Sequence, residues 1–160
     1  MDDTPRRKRR DVLHSTAGRF HEDPDREPTS YAADSLFTAW REVTARFGRA
    51  RVNPAVFRAW RLRVKGGRIS DLRKAAERKR LGIAEEELIR DPWRPECRDV
   101  ARRLRAKGYS GLLYKSVRNR PKGVCIALFL EHADKRIGVQ AIDEKAWQRF
   151  LVGFARSSGR

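Results

Sequence analysis

The sequence predicts an α+β fold, and three observations carry that prediction. Amphipathic helical patterns and short strand-like runs follow one another irregularly, without the strict alternation that builds a doubly wound parallel sheet. The chain has 160 residues, 39% of them hydrophobic, with seven Phe and four Trp, enough for one domain with a core of its own. Three strand candidates fall in the last third of the chain, between two amphipathic helices.

In chain order, residues 1–10 read as a disordered basic tail and 11–160 as one domain. Residues 18–30 are polar, with Pro24, Pro28 and several acids, and read as a loop. Tyr31-Ala32-Ala33 is a short extended segment, after which Asp34 or Ser35 can cap a helix. Leu36, Trp40, Val43 and Phe47 repeat at helical spacing and Gly48 stops the helix, so this stripe is expected to face the core. Residues 55–64 carry Val56, Ala59 and Leu62 between Arg58, Arg61 and Arg63, with Trp60 and Val64 adding strand bulk. Gly66-Gly67 is a turn, 68–70 a brief strand, 71–80 a charged helix and 84–89 a second short helix. Pro95 suits the first turn of a helix that turns Val100, Ala101 and Leu104 inward and ends at Gly108. Strands are expected at 111–115, 124–130 and 137–141. A final helix from Asp143 places Trp147, Phe150, Leu151 and Phe154 on one side.

Lys and Arg number 38 against 21 Asp and Glu, a formal charge of +17. Such a surface attracts anions: nucleic acid, phosphorylated small molecules or an acidic protein. The two cysteines, Cys97 and Cys125, have neither the number nor the spacing of a disulfide framework or a zinc site, and a reducing cytoplasm fits them. The N-terminal cations have no apolar segment behind them, and no run approaches membrane-spanning length. The expected setting is therefore cytoplasmic, with no membrane partner.

No metal site is expected, since His14, His21 and His132 are scattered. No dinucleotide-binding glycine turn, P-loop or nucleophile elbow is present. What remains is a set of polar residues at the edges of apolar elements: Arg19 in the polar loop, Tyr31, Glu42 and Ser116. Each has a plainer reading. Glu42 points away from the apolar stripe and suits a surface pair with Arg46; Tyr31 suits a half-buried strand, Arg19 a solvated loop, and Ser116 a local backbone bond at a strand end.

Together they are more specific. The run TSYAADSLFTAWREV, then ISDLRKAAERKRLGIAEEEL, DPWRPECRDVARRLRAKGYSGLLYKSVRN and GVCIALF, resembles the RES-domain family. That family consists of bacterial toxins named for recurrent Arg, Glu and Ser. The strongest pieces are the Tyr eleven residues before Glu42 and the G-Y-x-G-L-L-Y-x-S-x-R run that holds Ser116 and Arg118. The resemblance implies an ADP-ribosyltransferase-like fold, with a cleft between two small sheets that takes NAD as substrate and needs no further cofactor. It implies cleavage of the nicotinamide–ribose bond, by phosphate or by water, and a cognate antitoxin that blocks the cleft.

It assigns Gly18-Arg19 to the family's Gly-Arg loop, Tyr31 to the tyrosine after it, Glu42 to the helix glutamate and Ser116 to the strand-end serine. Glu42 would then stabilise an oxocarbenium-like ribosyl centre. Arg19 would hold the pyrophosphate or an incoming phosphate. Tyr31 would stack on a ring or wall the pocket, and Ser116 would bond the nicotinamide amide or ribose, with Arg118 beside it. Family members carry an aromatic-Arg strand upstream of the Gly-Arg loop; only seventeen residues precede Gly18 here, and Val12-Leu13-His14 is its candidate remnant. Phosphorolysis, hydrolysis and protein ADP-ribosylation stay open, as do the antitoxin and the oligomeric state. Two competing readings are a basic nucleic-acid-binding protein, gripping phosphates with the arginines of 58–80 and 102–107, and a non-catalytic relative that binds a partner protein.

Overall fold

The computed structural model describes Leu13 and residues 18–48, 58–90 and 95–157, with side chains through residue 153. In chain order the elements are β1 (Thr29–Ala33), α1 (Leu36–Phe47), β2 (Trp60–Val64), β3 (Ile69–Asp71), α2 (Ala75–Leu81), α3 (Glu85–Ile89), α4 (Pro95–Ala106), β4 (Gly111–Lys115), β5 (Val124–Phe129), α5 (Leu130–Ala133), a 3-10 turn (Asp134–Arg136), β6 (Ile137–Ala141) and α6 (Glu144–Ser157). The architecture is α+β. One mixed sheet runs β1-β5-β4-β3, with β3 parallel to β4 and the other pairs antiparallel, and a separate antiparallel ribbon pairs β2 with β6.

Strand β5 explains the layering. Its side chains alternate between two apolar layers, which is why the run reads as continuously hydrophobic. Cys125, Ala127 and Phe129 join Tyr31 and Ala33 of β1, Leu112 and Tyr114 of β4, and Val100, Ala101 and Leu104 of α4 in one core. Ile126 and Leu128 face the opposite way, onto Leu62, Val64, Ile137 and Val139 of the β2–β6 ribbon. Each fully buried Leu or Phe here contributes about 1.5–3 kcal/mol. Gly111 lets β4 approach β5, because a Cβ at this position would lie 2.4 Å from the Ala127 carbonyl oxygen.

Several helix ends follow their sequence signals. The Ser35 side chain accepts a bond from the Thr38 amide at 3.1 Å, and Gly48 closes α1 with φ +78. Pro95 opens α4, and Gly108, with φ +73, closes it while the Tyr109 amide bonds the Leu104 carbonyl. Asp143 precedes α6 and accepts from the Ala146 amide at 2.9 Å.

Other expectations are corrected. Asp71 ends β3 rather than opening a helix; its carboxylate takes the Arg73 guanidinium, and the helix starts at Ala75. Leu130 leaves the strand to begin α5. The Leu36/Trp40/Val43/Phe47 stripe is not a core face: the one buried residue of α1 is Thr38, and Phe47 is 48% exposed. Trp40 packs edge-on against Trp147 and Phe150 of α6, while Val43 and Phe47 line a cavity. Of the expected strand at 55–64, the ribbon strand begins only at Trp60, and 55–57 lie outside the described residues. Leu13, the one described residue of Val12-Leu13-His14, has helical backbone and is buried in the ribbon-side core.

Candidate active site

A cavity of about 450 Å³ opens between α1 and the α4 side of the mixed sheet, within the range of small-molecule sites. Its floor is Tyr31, Ala33, Tyr114 and Cys125, all from the sheet face that carries the larger core. The ribbon lies across the other sheet face, and no residue of β2 or β6 lines the cavity. The cleft expected between two sheets is thus a cleft between one sheet and a helix, because the ribbon buries its own apolar side against Leu128 and Ile126.

Helix α1 supplies one wall through Ala39, Glu42, Val43 and Arg46, spaced i, i+3, i+4, i+7 and therefore on one side of the helix. Glu42 is the one carboxylate among the described lining residues, beside Arg19, Arg46 and Arg118. Its Oε1 accepts a 2.5 Å hydrogen bond from the Ser116 hydroxyl. The expected surface pair with Arg46 is not what orients it.

Ser116 is fully buried and is not among the cavity-lining residues. Its Oγ donates to Glu42 and accepts from the amides of Asn119 at 2.9 Å and Arg118 at 3.2 Å. With both lone pairs and its proton engaged, it holds Glu42 from behind, one layer from the cavity. Direct bonding to a nicotinamide or ribose, as the sequence reading had it, has no free hydroxyl group to draw on. Gly123 makes the tight turn feasible, since a Cβ there would lie 2.9 Å from the Ser116 Cβ.

The β4–β5 loop is fastened to α1 by two further contacts, one of them continued to the helix N-cap. Asn119 Nδ2 donates to Thr38 Oγ1 at 2.9 Å, Thr38 Oγ1 pairs with Ser35 Oγ at 2.9 Å, and Arg41 Nε donates to the Arg118 carbonyl at 2.6 Å. The side chains of Thr38, Arg41 and Asn119 carried no individual signal in the sequence. Arg46, in contrast, could have been found from its place on the same helical face as Glu42.

Arg19 is 8% exposed, not a solvated loop cation. One of its terminal nitrogens donates to the Arg90 carbonyl at 3.0 Å, which anchors the guanidinium at the cavity wall. Gly18 and His21 exchange backbone bonds around it. Only glycine fits at position 18, because a Cβ would sit 2.6 Å from the Tyr31 hydroxyl. That hydroxyl accepts the Phe20 amide at 3.0 Å and meets His21 Nδ1 at 2.9 Å, so Tyr31 presents its ring rather than its oxygen to the cavity.

Burial pushes the Tyr31 and Tyr114 phenols well above their usual range. Burial, reinforced by the Glu42 charge, pushes the Cys125 thiol up to about 12. At neutral pH the floor is therefore uncharged, and Cys125 is not a thiolate nucleophile. Among the described residues no cluster of His, Cys, Asp and Glu could hold a metal ion, and no helix is long and apolar enough to cross a membrane.

The structure brings Arg19, Tyr31, Glu42 and Arg118 to one cavity and sets Ser116 directly behind Glu42. No match was found among curated proteins. A solved structure described as the crystal structure of the M. tuberculosis MbcT-MbcA toxin-antitoxin complex aligns with a TM-score of 0.62 and 18% identity, over 82% of this chain and 75% of that one. At that identity the likeness is one of fold. The sequence match is broader, running from residue 5 to residue 148 against the RES domain, and on that match the chain belongs to the RES domain family.

Proposed function

We propose that this chain is a toxin that depletes NAD by breaking the nicotinamide–ribose bond, and that a cognate antitoxin restrains it. The observation that carries the reading is the one carboxylate among the described lining residues, Glu42, fixed by Ser116 in a cavity whose other described charged lining residues are arginines. A dinucleotide needs that distribution: cations for the pyrophosphate and one anion at the reacting sugar.

As the glycosidic bond breaks, its electron pair leaves with the nicotinamide, neutralising the ring nitrogen, and positive charge builds on the ribosyl carbon and ring oxygen. A carboxylate held in place before that charge develops stabilises it without reorganising. Water or phosphate then attacks the ribosyl carbon. Arg19, braced by the Arg90 carbonyl, is placed to bind phosphate oxygens. Tyr31 and Tyr114 offer neutral aromatic surface for a ring. Arg46, Arg118 and the exposed ring of Phe47 at the cavity suit a partner segment combining carboxylates with an apolar side chain, as an occluding antitoxin would.

Several of the arginines at 58–80 and 102–107 that a nucleic-acid reading would use are engaged internally, although Arg61 and Arg63 are not. Arg73 pairs with Asp71, Arg78 with Glu85, Arg80 with Glu77, Arg102 with Glu27 and Arg105 with Glu131.

The test is nicotinamide release from NAD by the purified chain, with and without inorganic phosphate. Glu42→Gln keeps an acceptor for Ser116 but removes the charge. It is expected to slow release by at least ~100-fold while leaving thermal unfolding unchanged. ADP-ribose as product indicates water as the acceptor, and its phosphorylated form indicates phosphate. A Glu42→Gln protein as fast as the parent would overturn the reading.

A further inference from the structure

The ribbon turns its apolar side to the mixed sheet and leaves the other side to solvent. Arg61 and Arg63, two residues apart on β2, share that outer face with Gly138 and Gln140 of β6, their register partners. All four are exposed. At the end of the ribbon Lys65 bonds the Arg136 carbonyl through its amide, adding the exposed side chains of Lys65, Lys135 and Arg136.

Five exposed cations, Arg61, Arg63, Lys65, Lys135 and Arg136, lie along this one ribbon. Elsewhere among the described residues Arg73, Arg78, Arg80, Arg98, Arg102 and Lys115 sit against a carboxylate, while Lys145 and Arg149 on α6 do not. The five ribbon cations make no ion pair among the described residues, so their charge is directed outward. Packing does not demand glycine at 138 either: a Cβ there would find nothing closer than 3.8 Å. The bare position leaves Arg63 uncovered.

We infer that the outer face of the β2–β6 ribbon is a second, independent binding surface, for the phosphate backbone of duplex DNA. Two features select DNA among polyanions. The major groove of B-form DNA admits a two-stranded β-ribbon, whereas the major groove of an RNA duplex is too deep and narrow. Arg61, Arg63 and Gln140 are also the side-chain types that reach purine edges once phosphates have positioned the ribbon. The cavity opens on the opposite face of the mixed sheet, so DNA and a small-molecule substrate can be bound together.

The test measures affinity of the full chain for a fluorescent DNA duplex across a salt series. Each phosphate contact contributes about 0.9 to the slope of log affinity against log salt. Arg61→Ala/Arg63→Ala is expected to reduce that slope by about 2, and Lys65→Ala/Arg136→Ala by a similar amount. Lys145→Ala/Arg149→Ala on α6, which removes the same charge elsewhere, is expected to leave the slope unchanged. Nicotinamide release should be equal in all these proteins, which separates the surface from the cavity. Equal losses from the ribbon and α6 variants would overturn the assignment, as would absence of duplex binding by the parent. RNA duplex bound as tightly as DNA would overturn the choice of DNA.

Discussion

Glu42 owes its orientation to Ser116 and the loop behind it more than to its own helix. Ser116→Ala removes the donor to Glu42 and the acceptor for two amides. It is expected to cost about 1–3 kcal/mol in urea unfolding. Because Ser116 does not reach the cavity, nicotinamide release should lose kcat about tenfold or more with KM little changed; a rise in KM alone would mean the serine touches substrate. Helical periodicity set Glu42 away from the Leu36/Trp40/Val43/Phe47 stripe, which holds for Leu36 and Trp40 but not for Val43 and Phe47, which line the same cavity as Glu42. The place of Ser116 behind it was not legible, since hydrogen-bond partners 74 residues apart leave no local pattern.

At the scale of elements, close strand approach and a few ion pairs hold the sheet and its helices together. Gly111→Ala drives a methyl group against the Ala127 carbonyl and is expected to destabilise by about 1–3 kcal/mol or more, read as a lower urea midpoint. Strand β3 is tied to α2 through Glu77, which accepts from Ser70 at 2.6 Å and from Arg80 at 2.7 Å. These donors, Arg80 foremost, hold the Glu77 carboxyl down at about 2. Its folded value lies below its unfolded one, so its contribution is complete above about pH 4.5 and is lost as pH falls towards 2. Partial exposure screens this contribution. Urea midpoints of Glu77→Gln and the parent should therefore differ most near neutrality and converge near pH 2. Arg105 of α4 has no comparable signal in the sequence. It is 9% exposed, donates to Thr29 Oγ1 at 2.5 Å, pairs with Glu131 and lies 4.1 Å from the Phe129 ring centroid. A helix periodicity that sorts residues by polarity places such an arginine outside, because nothing local announces a buried partner on another element.

Across the whole molecule, ligand binding should register as stability. In the Glu42→Gln background, NAD at about 100 times its dissociation constant should add about 2.7 kcal/mol, a rise of roughly 5–10 °C in Tm for a chain of this size. Arg19→Ala in the same background should abolish most of that rise, measured by thermal shift at fixed ionic strength. The sequence by itself determined the α+β class, the helix ends at Asp34 or Ser35, Gly48, Pro95 and Gly108, the order of the strands and the residues resembling the RES pattern. These depend on periodicity and backbone preference, which act over a few neighbouring residues. Tertiary structure alone decided that the ribbon covers the sheet face opposite the cavity, that α1 divides its apolar side between α6 and the cavity, and that Ser116 braces Glu42 from behind. Those outcomes depend on which distant surfaces bury one another and which buried polar groups find partners, and both are settled only when the whole chain packs.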